Sequence, residues 1–196
     1  MKSPQEFIVK PLASRYNNTK KIGKEELILN SEIYTHQFVS REAEVLQTPI
    51  INETDVKEGD IVIVHHNIFR RWHNQYGVEK NSRSYYKEDM YFVRADQIFL
   101  AKRNNKWNSL KGFCFVKPIK SNNVFSLDKE RPLIGIMKFV DKDLTNVKVG
   151  DLVGFSPNSE YEFVIDGERL YRVTTNSITI KYEYQGDEEE YNPSWA

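Results

Sequence analysis

The chain has 196 residues, 39% of them hydrophobic, and its 28 basic side chains are balanced by 28 acidic ones. That apolar share suits a folded chain, in one domain or in two of roughly 100 residues each. The zero net charge excludes a whole-molecule field that would draw the protein to nucleic acid or to an anionic membrane. No apolar run reaches the roughly 18 residues of a membrane span, and "MKSPQEFIVKP" has no apolar signal core. One cysteine, Cys114, excludes an intrachain disulfide and fits a reducing cytoplasm.

In chain order, the first predicted strand is "FIVKPL" (Phe7 to Leu12). A long polar segment follows, "ASRYNNTKKIGKEELILNSEIYTHQFVSRE", with one apolar triplet at Leu27, Ile28 and Leu29, which the pattern leaves open between a buried strand, with Ile22, Ile33 and Tyr34, and the exposed tip of a loop. "EAEVLQT" (Glu42 to Thr48) is a second strand, and "VKEGDIVIV" (Val56 to Val64) is a tight turn running into a third. A basic and aromatic stretch, "HHNIFRRWHNQYG", comes before the closing strand "VRADQIFLA" (Val93 to Ala101).

The same blocks then return in the same order. "FVKPI" (Phe115 to Ile119) answers the first, "LIGIMKF" (Leu133 to Phe139) the second, "VKVGDLVGF" (Val147 to Phe155) the third and "VTTNSITIK" (Val173 to Lys181) the last. Four matches in register indicate an internal duplication. Each block has strand length and β-branched character, and no stretch offers a capped amphipathic helix. In the two turns, Gly59 and Gly150 supply positive φ, and Asp60 and Asp151 supply carboxylates for the local backbone. The expected fold class is all-β: two tandem small β-barrels, since closure protects strand edges. The expected domains are 1–104, a polar Asn-rich linker at 105–112, a second barrel at 113–185, and a solvated acidic tail at 186–196.

Several constellations of chemical interest are weak. His65, His66 and His73 lie close in sequence, but adjacent His65 and His66 on a strand would face opposite ways, which argues against a metal site. Arg70, Arg71, Trp72, Lys80, Arg83 and Lys87 mix basic and aromatic character, as in a nucleic-acid patch, a second docking surface or a solvated hairpin; the matching loop of the second half, "SPNSEYEFVIDGERL", is shorter and acidic, so the solvated hairpin is favoured and no nucleic-acid partner is expected. Cys114 lies in an apolar run and reads as core. With no nucleophile elbow, P-loop or dinucleotide motif, the chain is not expected to be an enzyme or to hold a cofactor.

The order "VKPL … EVL … VKEGDIVIV … DQIFLA" resembles the GroES, or cochaperonin, family. The first half carries every block and the second carries them more loosely, so the resemblance covers most of the chain as a tandem pair of GroES-like barrels. It implies that residues 17–34 form a mobile loop whose Leu27, Ile28 and Leu29 dock into an apolar groove of a GroEL-type chaperonin. It also implies a homo-oligomeric, heptameric ring in the cytoplasm, closing a chamber around an unfolded client, with ATP bound by the partner chaperonin. The short connections "QTPIINETD" and "VDKDLTN" leave no room for a roof hairpin, as in the roofless phage-type (T4-like) cochaperonins, whose client is a capsid protein. Between "VKPI" and the next strand the second half has only a short loop, where Val124, Phe125 and Leu127 are expected to pack on the barrel. The alternative reading of the residues is a structural double-barrel component of a virion or other assembly.

Overall fold

The computed structural model describes residues 3–16, 19–23, 25–28, 39–121, 129–183, 186 and 188–194. The chain is all-β and divides into two compact units, Met1–Lys106 and Trp107–Ala196. No helix among the described residues is long and apolar enough to cross a membrane.

Unit 1 contains β1 (Phe7–Pro11), β2 (Thr19–Ile22), β3 (Glu25–Ile28), β4 (Glu42–Gln47), β5 (Ile61–Val64), β6 (Arg71–His73), β7 (Glu79–Asn81), β8 (Tyr85–Lys87), β9 (Met90–Val93) and β10 (Ile98–Arg103). β11 (Lys106–Ser109) carries the boundary. The main sheet runs β11-β10-β5-β4-β1-β9-β8, while β2–β3 and β6–β7 each form a separate two-stranded sheet. β1 is central because Phe7, Ile8 and Val9 are all buried, a continuous apolar run that only an interior strand tolerates.

Unit 2 contains β12 (Phe113–Lys120), β13 (Glu130–Phe139), β14 (Leu152–Phe155), β15 (Tyr161–Ile165), β16 (Glu168–Thr174) and β17 (Ile178–Tyr182), ordered β15-β16-β12-β13-β14-β17. This is the order of unit 1 from β8 through β9, β1, β4 and β5 to β10. The registers match as well: Val9 pairs with Val45 and Tyr91, and Val116 pairs with Met137 and Tyr171. A 3-10 turn precedes each closing strand, at Ala95–Gln97 and Thr175–Ser177. Its last carbonyl accepts from the residue after β5 or β14: His65 N–H to Gln97 and Ser156 N–H to Ser177, both 2.9 Å.

The two Gly-Asp turns share one hydrogen-bond pattern. Gly59 (φ 86) donates to Val45 O at 2.8 Å, and Gly150 (φ 91) donates to Met137 O at 2.8 Å. Val45 and Met137 donate back to Asp60 O and Asp151 O at 2.9 Å. Each Asp side chain then accepts the backbone N–H three residues earlier, Lys57 or Lys148, at 2.8 Å. Both expectations from the sequence, positive φ at glycine and a carboxylate closing the turn, hold. Burial works against ionisation of Asp60, but the Arg103 guanidinium and the Lys57 N–H outweigh it and hold the carboxyl below its ordinary value.

Four expectations need correction. The main sheets are open ladders rather than closed barrels: β8 and β11 end one, β15 and β17 the other. The expected linker at 105–112 contains β11, folded back on β10 through Asn104 (φ 50) and Asn105 (φ 61); asparagine tolerates the left-handed conformation a two-residue hairpin turn needs. The match of "EAEVLQT" to "LIGIMKF" shifts by one residue, so that Ala43, which pairs with Pro11 and Val62, answers Gly135, which pairs with Pro118 and Val153. The cause is the connection to the Gly-Asp turn, which runs through residues 48–55 in unit 1 and through 140–146, one residue fewer, in unit 2; separately, β13 is irregular between the partners of Pro118 and Lys120, where Leu133 takes φ 60. Finally, part of the acidic tail is not a solvated end. Ile119 bridges Glu190, Lys120 N–H donates to Glu189 O, and Tyr191 N–H donates to Pro118 O. Glu190, at 3.7 Å, and Glu168, at 3.4 Å, are the carboxylate partners of Lys117, a lysine only 4% exposed.

At Gly135 an added Cβ would lie 2.4 Å from Lys117 O and 2.6 Å from Val116 Cγ1, so Gly135→Ala should destabilise unit 2 by about 1–3 kcal/mol. At Gly154 the nearest atom is the Tyr182 ring edge at 3.1 Å, and Gly154→Ala should cost less; urea unfolding of the two variants compares them directly.

Stability should also depend on pH through Asp60. Because the folded Asp60 carboxyl lies below its unfolded value of about 3.9, its contribution is present above about pH 4 and is lost as pH falls through the folded value. Asp60→Asn should therefore be less stable than the parent at pH 7, with the gap in melting temperature closing toward pH 3.

Candidate functional site

The two units share a frame and differ in what is inserted into it. The first difference lies between β1 and β4. There the chain leaves and returns through a fixed neck: Tyr16 bridges Val39, Ser40 N–H donates to Arg15 O at 2.9 Å, and Leu12 N–H donates to Glu42 O at 3.0 Å. Tyr16 and Val39 are buried, so the neck is part of the core. Arg15 donates from Nε and Nη2 to Phe69 O at 3.2 and 3.0 Å, and its guanidinium lies 5.4 Å from the Tyr91 ring centre. The Tyr16 hydroxyl accepts the Arg71 N–H at 2.6 Å, with the Arg71 guanidinium 4.8 Å from the Tyr16 ring centre. Burial pushes the phenol of Tyr91 up, so this tyrosine is a neutral packing partner for Arg15.

Beyond the neck stands the β2–β3 hairpin. Gly23, at φ 65, supplies the turn, and the register sets Lys21 opposite Glu26 and Lys20 opposite Leu27. Of the expected docking triplet, Leu27 and Ile28 lie on β3, and Leu29 lies outside the described residues. Val124, Phe125 and Leu127 of the second half also lie outside them. The unit 2 loop closes on a different device. Ser121 N–H donates to Lys129 O at 3.0 Å, and Arg169 ties together Glu130, Glu162 and the Tyr171 hydroxyl. Burial and the neighbouring Glu130 both push the Tyr171 phenol up, which keeps it a hydrogen-bond donor to that carboxylate.

Residue types alone do not single out two exposed side chains. Ile50 and Ile51, in the short connection from β4 to β5, are 61% and 66% exposed. Their backbone N–H groups donate to Ser3 O and Pro4 O at 3.1 and 3.0 Å, which holds the apolar pair outward. An apolar doublet inside a Pro- and Asn-rich loop is the signal the sequence offers for them.

The histidines are arranged differently from expectation. His65 and His66 follow the end of β5 and stack on one another with ring centres 4.3 Å apart, because the chain turns there and strand alternation no longer applies. No group of three metal-ligating side chains gathers among the described residues. Cys114 is fully buried, and burial raises its thiol pKa; it accepts the Asp141 N–H at 3.4 Å.

No family model and no curated protein matches this chain. What the structure shows is an asymmetry between the units: a shared frame, with the β2–β3 and β6–β7 sheets present, among the described residues, in unit 1 alone.

Tyr16→Phe removes the acceptor of the Arg71 N–H and leaves the ring in place. It should destabilise unit 1 by about 1 kcal/mol and speed hydrogen exchange at the Arg71 amide, while the Lys120 amide of unit 2 exchanges as before.

Proposed function

We propose that this protein is a tandem cochaperonin that caps an ATP-driven GroEL-type chaperonin through the β2–β3 hairpin of unit 1. The observation that carries the reading is the position of that hairpin: an insertion between β1 and β4 of a duplicated frame, held on a buried neck, bearing Leu27 and Ile28, and replaced in unit 2 by a short loop. The resemblance of the strand blocks to the GroES family supplies the partner. The ATP belongs to that partner, and this chain acts by binding rather than by catalysis. The client is an unfolded protein, with a phage capsid protein the favoured kind.

Burying three large aliphatic side chains is worth about 1.5–3 kcal/mol each, and ordering the residues that carry them costs about 1–2 kcal/mol per residue. One hairpin therefore binds weakly. Several presented on one ring share a single association step, which makes binding tight and still releasable. The proposed assembly is accordingly a heptamer of 23.1 kDa chains, in which the loop-bearing units form the ring. The second reading, a structural component of an assembly without chaperonin binding, is favoured by β17. This edge strand is exposed along most of its length, with Ile180 at 49% and Tyr182 at 37%, and it offers unpaired backbone to another chain.

Replacing Leu27, Ile28 and Leu29 with Ser should abolish co-elution with a GroEL-type chaperonin in the presence of nucleotide and leave the melting temperature within a few degrees of the parent. A parent chain that never co-elutes, with or without nucleotide, would leave the structural reading ahead. A large fall in melting temperature would place the triplet in the core.

A further inference from the structure

The second difference between the units is the connection from β5 to β8. In unit 2 the chain passes from β14 to β15 through residues 156–160 alone, whereas unit 1 inserts β6 and β7. With β9 and the 3-10 turn, this insertion lines a groove of about 690 Å³, within the size range of small-ligand sites. Three arginines line it: Arg70 before β6, Arg83 between β7 and β8, and Arg94 after β9. Trp72 of β6 and Phe92 of β9 add aromatic surface, and Asn67 and Gln97 add side-chain amides.

The wall is held by internal bonds. Ser82 Oγ donates to Ile68 O at 2.6 Å, and Phe92 N–H donates to Ser84 O at 2.7 Å. Phe92 packs on Tyr86 with ring centres 5.0 Å apart. The charges are less satisfied. Arg94 pairs with Asp96 at 2.9 Å, and Glu6 is the carboxylate in the lining. Arg70 and Arg83 make no ion pair or hydrogen bond among the described residues. Trp72 is 49% exposed and stacks on no other ring among them.

Unit 2 lacks each of these parts. The place of Phe92, opposite Ile8 on β1, is taken by Arg172, opposite Phe115 on β12, and its guanidinium is occupied by the rings of Phe113 and Tyr161 at 5.4 and 5.7 Å. Thr174 stands where unit 1 has Arg94, each leading into the 3-10 turn. The frame does not require the groove, so its composition is not a by-product of folding.

We propose that this groove binds a nucleotide unit of a single-stranded nucleic acid, with phosphates on Arg70, Arg83 and Arg94 and a base on Trp72. Guanidinium forks match phosphate oxygens two at a time, and an unstacked tryptophan offers a face to any base. The amides of Asn67 and Gln97 suit the hydrogen-bonding edge that a splayed base exposes. An acidic peptide would satisfy the arginines equally and would leave the indole face and the amides unused. The groove's chemistry does not depend on whether the β2–β3 hairpin docks a chaperonin.

The test is fluorescence anisotropy of the full chain with a labelled oligothymidylate of about fifteen nucleotides, a length near the upper site size of small single-strand-binding modules, across a salt series from about 50 mM. Saturable binding that weakens with salt is expected. Arg70→Ala with Arg83→Ala should flatten the log–log salt slope by about 1.4, at about 0.7 for each phosphate that is no longer neutralised. Trp72→Ala should weaken binding roughly tenfold or more. Lys148→Ala, in the turn of unit 2, should change nothing. If the alanine pair does not fold, as judged by circular dichroism, Arg70→Lys with Arg83→Lys replaces it, and should keep the slope while losing affinity. Competition by AMP with the same dependence on Trp72 supports the nucleotide chemistry, and AMP binding as tightly as the oligonucleotide would identify a free nucleotide as its source. Absence of saturable binding at the lowest salt overturns the proposal. So does equal weakening by Lys148→Ala, or a labelled oligoglutamate that binds more tightly and is indifferent to Trp72→Ala.

Discussion

The structure depends on one small hydrogen-bonded catch, made twice. A glycine in the left-handed region turns the chain, its N–H reaches the strand before it, and an aspartate holds the turn shut. The catch joins Val45 to Gly59 and Asp60, and Met137 to Gly150 and Asp151. It therefore fixes the register of β4 on β5 and of β13 on β14. Register matters here because a slip of one residue turns every side chain to the opposite face, and on β5 Val62, Ile63 and Val64 are packed on both faces. Val62 and Val64 on one copy and Val153 and Phe155 on the other are buried because that register holds.

With the register pinned at the catch, the rest of the frame tolerates large changes in loop length. Each doubling of a flexible loop costs only about 0.6 kcal/mol in closure entropy, so insertions destabilise little where their ends are tied. Both insertions of unit 1 are tied at the base. The β2–β3 segment is closed by Tyr16 and Val39, and the β6–β7 segment by the Ser82 and Ser84 bonds. Arg71 links them, since it begins β6 and donates its N–H to Tyr16. The two elements on which function is proposed thus share one anchor residue in unit 1.

Unit 2 is instead closed by internal charge pairs. Arg169 gathers Glu130, Glu162 and Tyr171, and Lys117 holds Glu168 and the tail's Glu190. Where unit 1 leaves Arg70 and Arg83 facing a groove, unit 2 places Arg172 against aromatic rings. A chain of zero net charge can therefore carry a locally basic surface, because Arg70 and Arg83 face one groove while most of the balancing carboxylates lie elsewhere. The tail's backbone pairing with Ile119 and Lys120 extends this closing of unit 2, covering backbone that would otherwise stay open at the end of β12.

The sequence alone determined what depends on neighbours along the chain. The duplication, the all-β class, the glycine turns and the aspartate catches were all legible, because each rests on a few consecutive residues whose backbone preferences are local. The Asn-Asn hairpin before β11 is just as local, yet its composition reads equally well as a linker, since asparagine marks both. Tertiary structure decided what depends on closure over distance. The one-residue shift between β4 and β13 came from a shorter connection to the second Gly-Asp turn, visible only once the strands were paired. The open ends of the sheets, the tail on β12 and the stacking of His65 on His66 follow from where strands stop, which pattern does not fix. The groove is the clearest case: Glu6, Arg70, Trp72, Arg83, Phe92 and Arg94 span most of unit 1, and only the fold brings them to one surface. Sequence spacing reports the chemistry a segment carries, whereas convergence of segments is set by strand pairing and core burial, which are long-range interactions.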